Sequence, residues 1–151
     1  MTTYPRVYVC ELNAPNHFYI GSTLRLPHHR EREHREGNGS RFTNKIGFKR
    51  MLFSQLVEPG TCSRLEDDLT IALMSRYGWG RCRGGNFVAL HEHALRRWLP
   101  QCLQTLAPTD VLPLHLRPVS KFATELGTLV DRFEVFCGFE NSDELNTDVL
   151  A

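Results

Sequence analysis

Several side chains in the first seventy residues are of the types that phosphoryl chemistry uses. Tyr8 and Tyr19 stand with ten residues between them, Arg30 and His34 are four apart, and Glu66 follows in a patterned apolar stretch. A carboxylate can hold a hard divalent ion. That ion and a guanidinium neutralise charge building on phosphoryl oxygens. A tyrosine or a histidine can move the proton of an attacking water. Together the residues suit phosphodiester hydrolysis. Singly, each has a structural use as well: paired tyrosines pack, Arg30 lies in a run of charges, His34 can be a core histidine, and Glu66 would close a capping box with Ser63.

Chemistry of this kind needs elements that bring the residues together. Residues 6–12 are rich in β-branched and aromatic types and read as a strand, and 17–21 read as a second. Asn13-Ala-Pro-Asn16 supplies the turn of a hairpin that carries both tyrosines. Pro27 and Gly37 bracket a helix over 27–36, on which Arg30 and His34 share a face. Gly37–Ser40 is a loop signal, and the basic stretch 41–50 follows it without a clear element. Residues 51–57 read as a third strand. Ser63 then opens a helix with Leu65, Leu69, Ala72 and Leu73 on one face, ending near Tyr77-Gly78 and setting Glu66 at the rim of that face. Beyond Gly84-Gly85-Asn86, a helical zone at 95–106 is interrupted by Pro100, and a last helix is expected over 120–133, capped by Ser120. The final ten residues are acidic and weakly patterned.

Val7-Tyr8-Val9, Tyr19-Ile20-Gly21-Ser22-Thr23, the Arg30-x-x-x-His34 helix, Gly37 to Thr43 and the helical Glu66 resemble the GIY-YIG nuclease superfamily in order, spacing and residue type. The resemblance covers residues 4–90, about three fifths of the chain. It implies an α/β sandwich (an α+β layering) in which a small three-stranded antiparallel sheet is flanked by helices, here with a helical carboxy-terminal extension over 91–151. It also implies cleavage of nucleic acid, mostly DNA, with one divalent ion, Mg2+ or Mn2+. By position, Tyr8 takes the place of the general base, and Tyr19 that of a residue orienting water or phosphate. Arg30 stands where the family's arginine stabilises the scissile phosphate, His34 where a helper in proton transfer sits, and Glu66 where the metal-binding glutamate sits. Gly21 keeps the backbone close to the site, and Asn86 is similar to an asparagine near the end of the module. Arg6 and Val7 replace the first motif's glycine and isoleucine. The helix comes one residue later than in the shortest members, and the four-residue spacing to His34 selects Arg30 over His29 or Arg32.

Length and composition agree with one globular domain: 151 residues, 41% hydrophobic and 23% charged. They exclude a disordered chain, a collagen-like repeat and a coiled coil. No apolar run approaches the ~20 residues needed to span a bilayer, and the amino terminus lacks a secretory signal, so an intracellular protein with no membrane partner is expected. Five cysteines without a C-x-x-C pair read as reduced thiols, and His91-Glu-His93 lacks the spacing of a structural zinc site. The net charge of +1 hides an asymmetry. Residues 1–99 hold 15 Lys and Arg against 9 Asp and Glu, whereas 100–151 hold 3 against 8. The basic front half fits a nucleic-acid partner, with Arg32, Arg35, Arg41, Lys45, Lys49 and Arg50 on the phosphate backbone. Phe42 or Phe48 either stack on an unpaired base or belong to the core. A tyrosine with an ordinary pKa near ~10 is a poor base at neutral pH. Tyr8 therefore needs a neighbouring cation: Arg30, or Lys45 and Lys49 if the basic stretch folds over it. The rival expectation is a nucleic-acid-binding protein that keeps the fold without cutting. Assembly through residues 100–151 is a third, and the oligomeric state is left open.

Overall fold

Alternation along the amino-terminal hairpin decides which side chains meet. Strands β1 (Arg6–Leu12) and β2 (Phe18–Thr23) pair antiparallel, with Tyr8 opposite Gly21 and Cys10 opposite Tyr19. Successive side chains take opposite faces. Tyr8, Cys10 and Tyr19 therefore share one face, and Val7, Val9, Phe18 and Ile20 share the other. The computed structural model describes residues 3–118 and 123–137. Strand β3 (Phe48–Leu56) pairs with the other edge of β1 and begins three residues before the expected position.

The sheet is larger than the three antiparallel strands expected. Strand β4 (Cys82–Gly84) pairs parallel with β2, giving a mixed four-stranded sheet in the order β3-β1-β2-β4. Three residues ending in a glycine carry no periodic signal, which is why the strand is invisible in the sequence. Its parallel pairing becomes possible because a helix intervenes between β2 and β4. Helices cover both faces, so central β1 is fully buried from Val7 to Cys10.

The aliphatic face packs under α3 (Cys62–Tyr77) and α6 (Ala123–Cys137). Leu65, Leu69 and Leu73 of α3 and Leu126, Leu129, Val130 and Phe133 of α6 are all buried there. The zone after β4 divides at Pro100 into α4 (Glu92–Leu95) and α5 (Gln101–Gln104), whose Leu95 and Leu103 join the same core. Ser120 and the acidic final residues lie outside the described residues. No described helix is long and apolar enough to cross a membrane. Of the four cysteines whose side chains are described, all are free thiols and three are buried.

The tyrosine face packs under α1 (Pro27–Arg35) and α2 (Arg41–Ile46). Helix α2 occupies part of the stretch given no element in the sequence. Ser40 caps it, with its Oγ accepting from the Thr43 N–H at 3.0 Å. Helix α1 has a polar sequence, and its one buried residue is His34. It is therefore docked by polar contacts from Arg30 and His34 rather than by an apolar stripe.

Candidate active site

Three elements converge on the Tyr8 hydroxyl. Arg30 Nε donates to it at 2.9 Å, and His34 Nε2 lies 2.8 Å away. Position 21 can only be glycine here, because a Cβ would come 2.5 Å from the Tyr8 oxygen. Glycine at 39 is required in the same sense, since its Cβ would fall 2.0 Å from His34 Nδ1. That nitrogen is buried and has no hydrogen-bond partner among the described residues. Tyr19 completes the aromatic wall, its ring centroid 6.4 Å from that of Tyr8 and 5.4 Å from that of His34.

Burial dominates the electrostatics. Tyr8 is fully buried, and this desolvation, reinforced by Tyr19, pushes its pKa well above the usual tyrosine value despite the Arg30 charge. The expected lowering by a neighbouring cation therefore does not prevail: Arg30 supplies it, and desolvation exceeds it. Tyr19 is also raised, by burial first and by the Glu66 charge in part. His34 is pulled down to about 4 by burial and then by Arg30, so it is a neutral imidazole at neutral pH. Arg30 Nη1 reaches Glu33 at 3.2 Å, and Glu33 is also paired with Arg25. Arg30 Nη2 has no hydrogen-bond partner among the described residues.

Glu66 is not a helix cap. Helix α3 begins at Cys62 with Thr61 at its N-cap, Ser63 is exposed, and no side chain closes a capping box. Glu66 instead stands in the second turn, half-buried, with Ser22, beyond the motif glycine on β2, near enough to favour its charged form. Burial raises its pKa, Ser22 opposes that, and Asp67 adds to it. The Asp67 carboxylate is taken by Asn86, accepting from its backbone N–H at 2.8 Å and from Nδ2 at 2.9 Å. Asn86 thus ties the loop after β4 to α3 rather than standing open to a ligand. Among the described residues, no three His, Cys, Asp or Glu side chains stand together to hold a metal ion.

The basic residues separate into two groups. Lys49 and Arg50 pair with Glu11 at 2.8 and 3.3 Å, in a cleft with Phe18 and Tyr77 from the α3 side of the sheet, so they do not fold over Tyr8. Arg35 pairs with Glu31 at 3.1 Å and lies over the Phe48 ring. Arg32, Arg41 and Lys45 are exposed and have no ion pair among the described residues. Phe42 is 4% exposed, with Arg83 over its ring at 4.7 Å and His17 stacked on it at 6.3 Å. Phe48 stacks on His34 at 5.8 Å. Both phenylalanines belong to the packed interior.

Sequence reasoning passed over Glu33, Ser22, Ser40, Gly39 and Arg83. Glu33 had a signal, since it stands three residues from Arg30 on one helix. Arg83 had none. Its buried guanidinium donates to the carbonyls of Trp79, Gly80, Cys82, Ala89 and Leu90 and fixes the segment around β4. Compared with family models, curated proteins and solved structures, the chain finds no match in any of the three.

Proposed function

We propose that the chain is a metal-dependent endonuclease of the GIY-YIG type that hydrolyses phosphodiester bonds in DNA. One observation carries this reading: Arg30 and His34, four apart on α1, both bond the hydroxyl of Tyr8, on the face that also holds Tyr19. Packing alone does not require that set. A guanidinium, a neutral imidazole and two phenols beside a half-buried carboxylate make a site for a phosphate and a water.

Glu66 suits a hard cation. Its carboxylate is desolvated, its neighbour Ser22 is uncharged, and Asp67 next to it is occupied by Asn86. A small divalent ion is commonly held by one or two carboxylates, with phosphate and water completing its shell. Magnesium or manganese bound at Glu66 would supply neutralisation of charge on the leaving oxygen. The chain's own residues do the rest. Arg30 presents Nη2 to a non-bridging oxygen. Its turning toward the phosphate uncovers the Tyr8 oxygen. Tyr8 then accepts the water's proton while passing its own to His34 Nε2, the acceptor that a neutral imidazole offers. This relay needs no standing tyrosinate, which the raised pKa of Tyr8 disfavours. Tyr19 stands in the same wall, its ring 5.4 Å from that of His34.

A second reading, a protein that binds nucleic acid without cutting it, draws on the complete burial of Tyr8. Labelled single-stranded, double-stranded and branched DNA, incubated with magnesium, manganese or chelator beside Glu66→Ala, separates the two. Cleavage that needs metal and is lost in Glu66→Ala supports the nuclease. Binding by the wild type with no cutting of any substrate supports the second reading.

A further inference from the structure

Next to the tyrosine wall lies an open groove of about 500 Å3 that the reaction above does not use. His17, Lys45, Arg83, His91, Glu92 and His93 line it. Phe42, also in its wall, belongs to the same side-chain cluster as Tyr8 and Tyr19, so the groove continues the site along one side of the sheet. His17, stacked on Phe42, precedes Tyr19 by two residues, about 7 Å along a strand.

The charges in the groove are unbalanced. Arg83 is 1% exposed and donates only to carbonyls, and its pKa, lowered by burial to about 10, leaves it cationic at neutral pH. Lys45 is exposed at the end of α2 and has no carboxylate partner among the described residues, unlike Lys49 and Arg50. Against these two cations stands one carboxylate, Glu92, whose charge acts on Arg83 and whose Oε1 would lie 3.0 Å from a Cβ on Gly80, which leaves the Lys45 ammonium as the uncompensated charge. His91 and His93 are exposed with rings stacked at 5.8 Å, and each carries an N–H donor in either protonation state. The histidines do not gather with other side chains into a metal site among the described residues. A fixed cation beneath, a free ammonium at the side and imidazole donors at the rim suit a phosphate group.

We propose that this groove seats a backbone phosphate of the nucleic-acid strand, outside the reacting centre, gripped by Lys45, His91 and His93 over the fixed charge of Arg83. The inference rests on the nuclease reading for the identity of the strand. Fluorescence anisotropy of the full chain with labelled single-stranded DNA in chelator, repeated across salt concentrations, tests it. Lys45→Ala and the double variant His91→Ala/His93→Ala should each weaken binding about tenfold, as expected for a hydrogen bond to a charged group. Lys45→Ala should also flatten the dependence of log Kd on log salt by about 0.7, the signature of one lost phosphate contact. All three positions are exposed, so the folded state should survive, as thermal unfolding will register. Unchanged affinity and salt slope in these variants, while Glu66→Ala still abolishes cleavage, would overturn the groove and leave the nuclease standing. Wild-type protein that neither binds nor cuts the DNA would overturn both.

Discussion

The two faces of the sheet are buried to a similar depth and built on opposite terms. Under α3 and α6, Val7, Val9, Phe18 and Ile20 meet leucines and aromatic rings, and burial stabilises every side chain involved. Under α1 and α2, Leu12 and Phe42 share the interior with two phenols, a thiol and an imidazole, reached by a guanidinium, and burial pushes Tyr8, Cys10, Tyr19 and His34 toward their neutral forms. His34 even keeps one ring nitrogen without a partner among the described residues. Buried polar groups cost stability unless fully satisfied. A face that accepts such costs beside a sheet that shows how to avoid them is where function is to be sought.

The contrast can be broken from either side. On the aliphatic face, Leu69→Ala removes a fully buried side chain and should cost about 2–5 kcal/mol in denaturant unfolding. The cleavage rate per folded molecule should be unchanged. On the polar face, Arg30→Ala should do the reverse. It removes the group proposed to face the phosphate, and single-turnover cleavage should slow by about 10²–10³-fold. Unfolding free energy should fall by about 1–3 kcal/mol, because Tyr8 keeps His34 and loses only the Arg30 donor.

His34 makes the contrast depend on pH. Its folded pKa of about 4 lies below the ~6.5 of an open chain, so between those values the unfolded chain binds a proton that the folded one refuses. The stability associated with neutral His34 is complete above about pH 6.5 and falls as pH drops toward 4, by on the order of 3 kcal/mol. Subtracting the curve of His34→Gln isolates this from Glu66, whose raised pKa acts in the opposite direction. Equal curves for wild type and variant would contradict the burial argument. The smallest effect is expected at Lys49. Its ammonium is on Glu11, away from the tyrosines, so Lys49→Ala should leave the pH–rate profile of cleavage unshifted.

Legibility in the sequence followed the same division. The hairpin, α3 and α6 were readable because alternation and helical spacing report an apolar face, and α1 because Pro27 and Gly37 mark its ends; Leu126, Leu129, Val130 and Phe133 are buried as their spacing predicts. β4 was not, since what holds it is Arg83 bonding to scattered carbonyls, and such contacts have no period. Helix α2 was missed although Ser40 and Gly47 mark its ends. Spacing put Arg30 and His34 on one helix face, and the resemblance to the nuclease superfamily implied that they meet Tyr8. The outcome of the competition between burial and Arg30 over the Tyr8 proton could not, because desolvation is a property of the packed site. Glu66 shows the opposite failure, a local capping pattern overruled when the N-cap fell at Thr61, two residues before Ser63.

The central claim is that the hydroxyl joining Arg30 to His34 serves phosphodiester hydrolysis. Its most direct test is the single-turnover rate of cleavage of labelled DNA with magnesium by wild-type protein and by Tyr8→Phe, which keeps the ring and removes the oxygen. Metal-dependent cleavage by the wild type, slowed about 10²–10⁴-fold in a folded Tyr8→Phe, is the predicted result. Cleavage by Tyr8→Phe at the wild-type rate would contradict it.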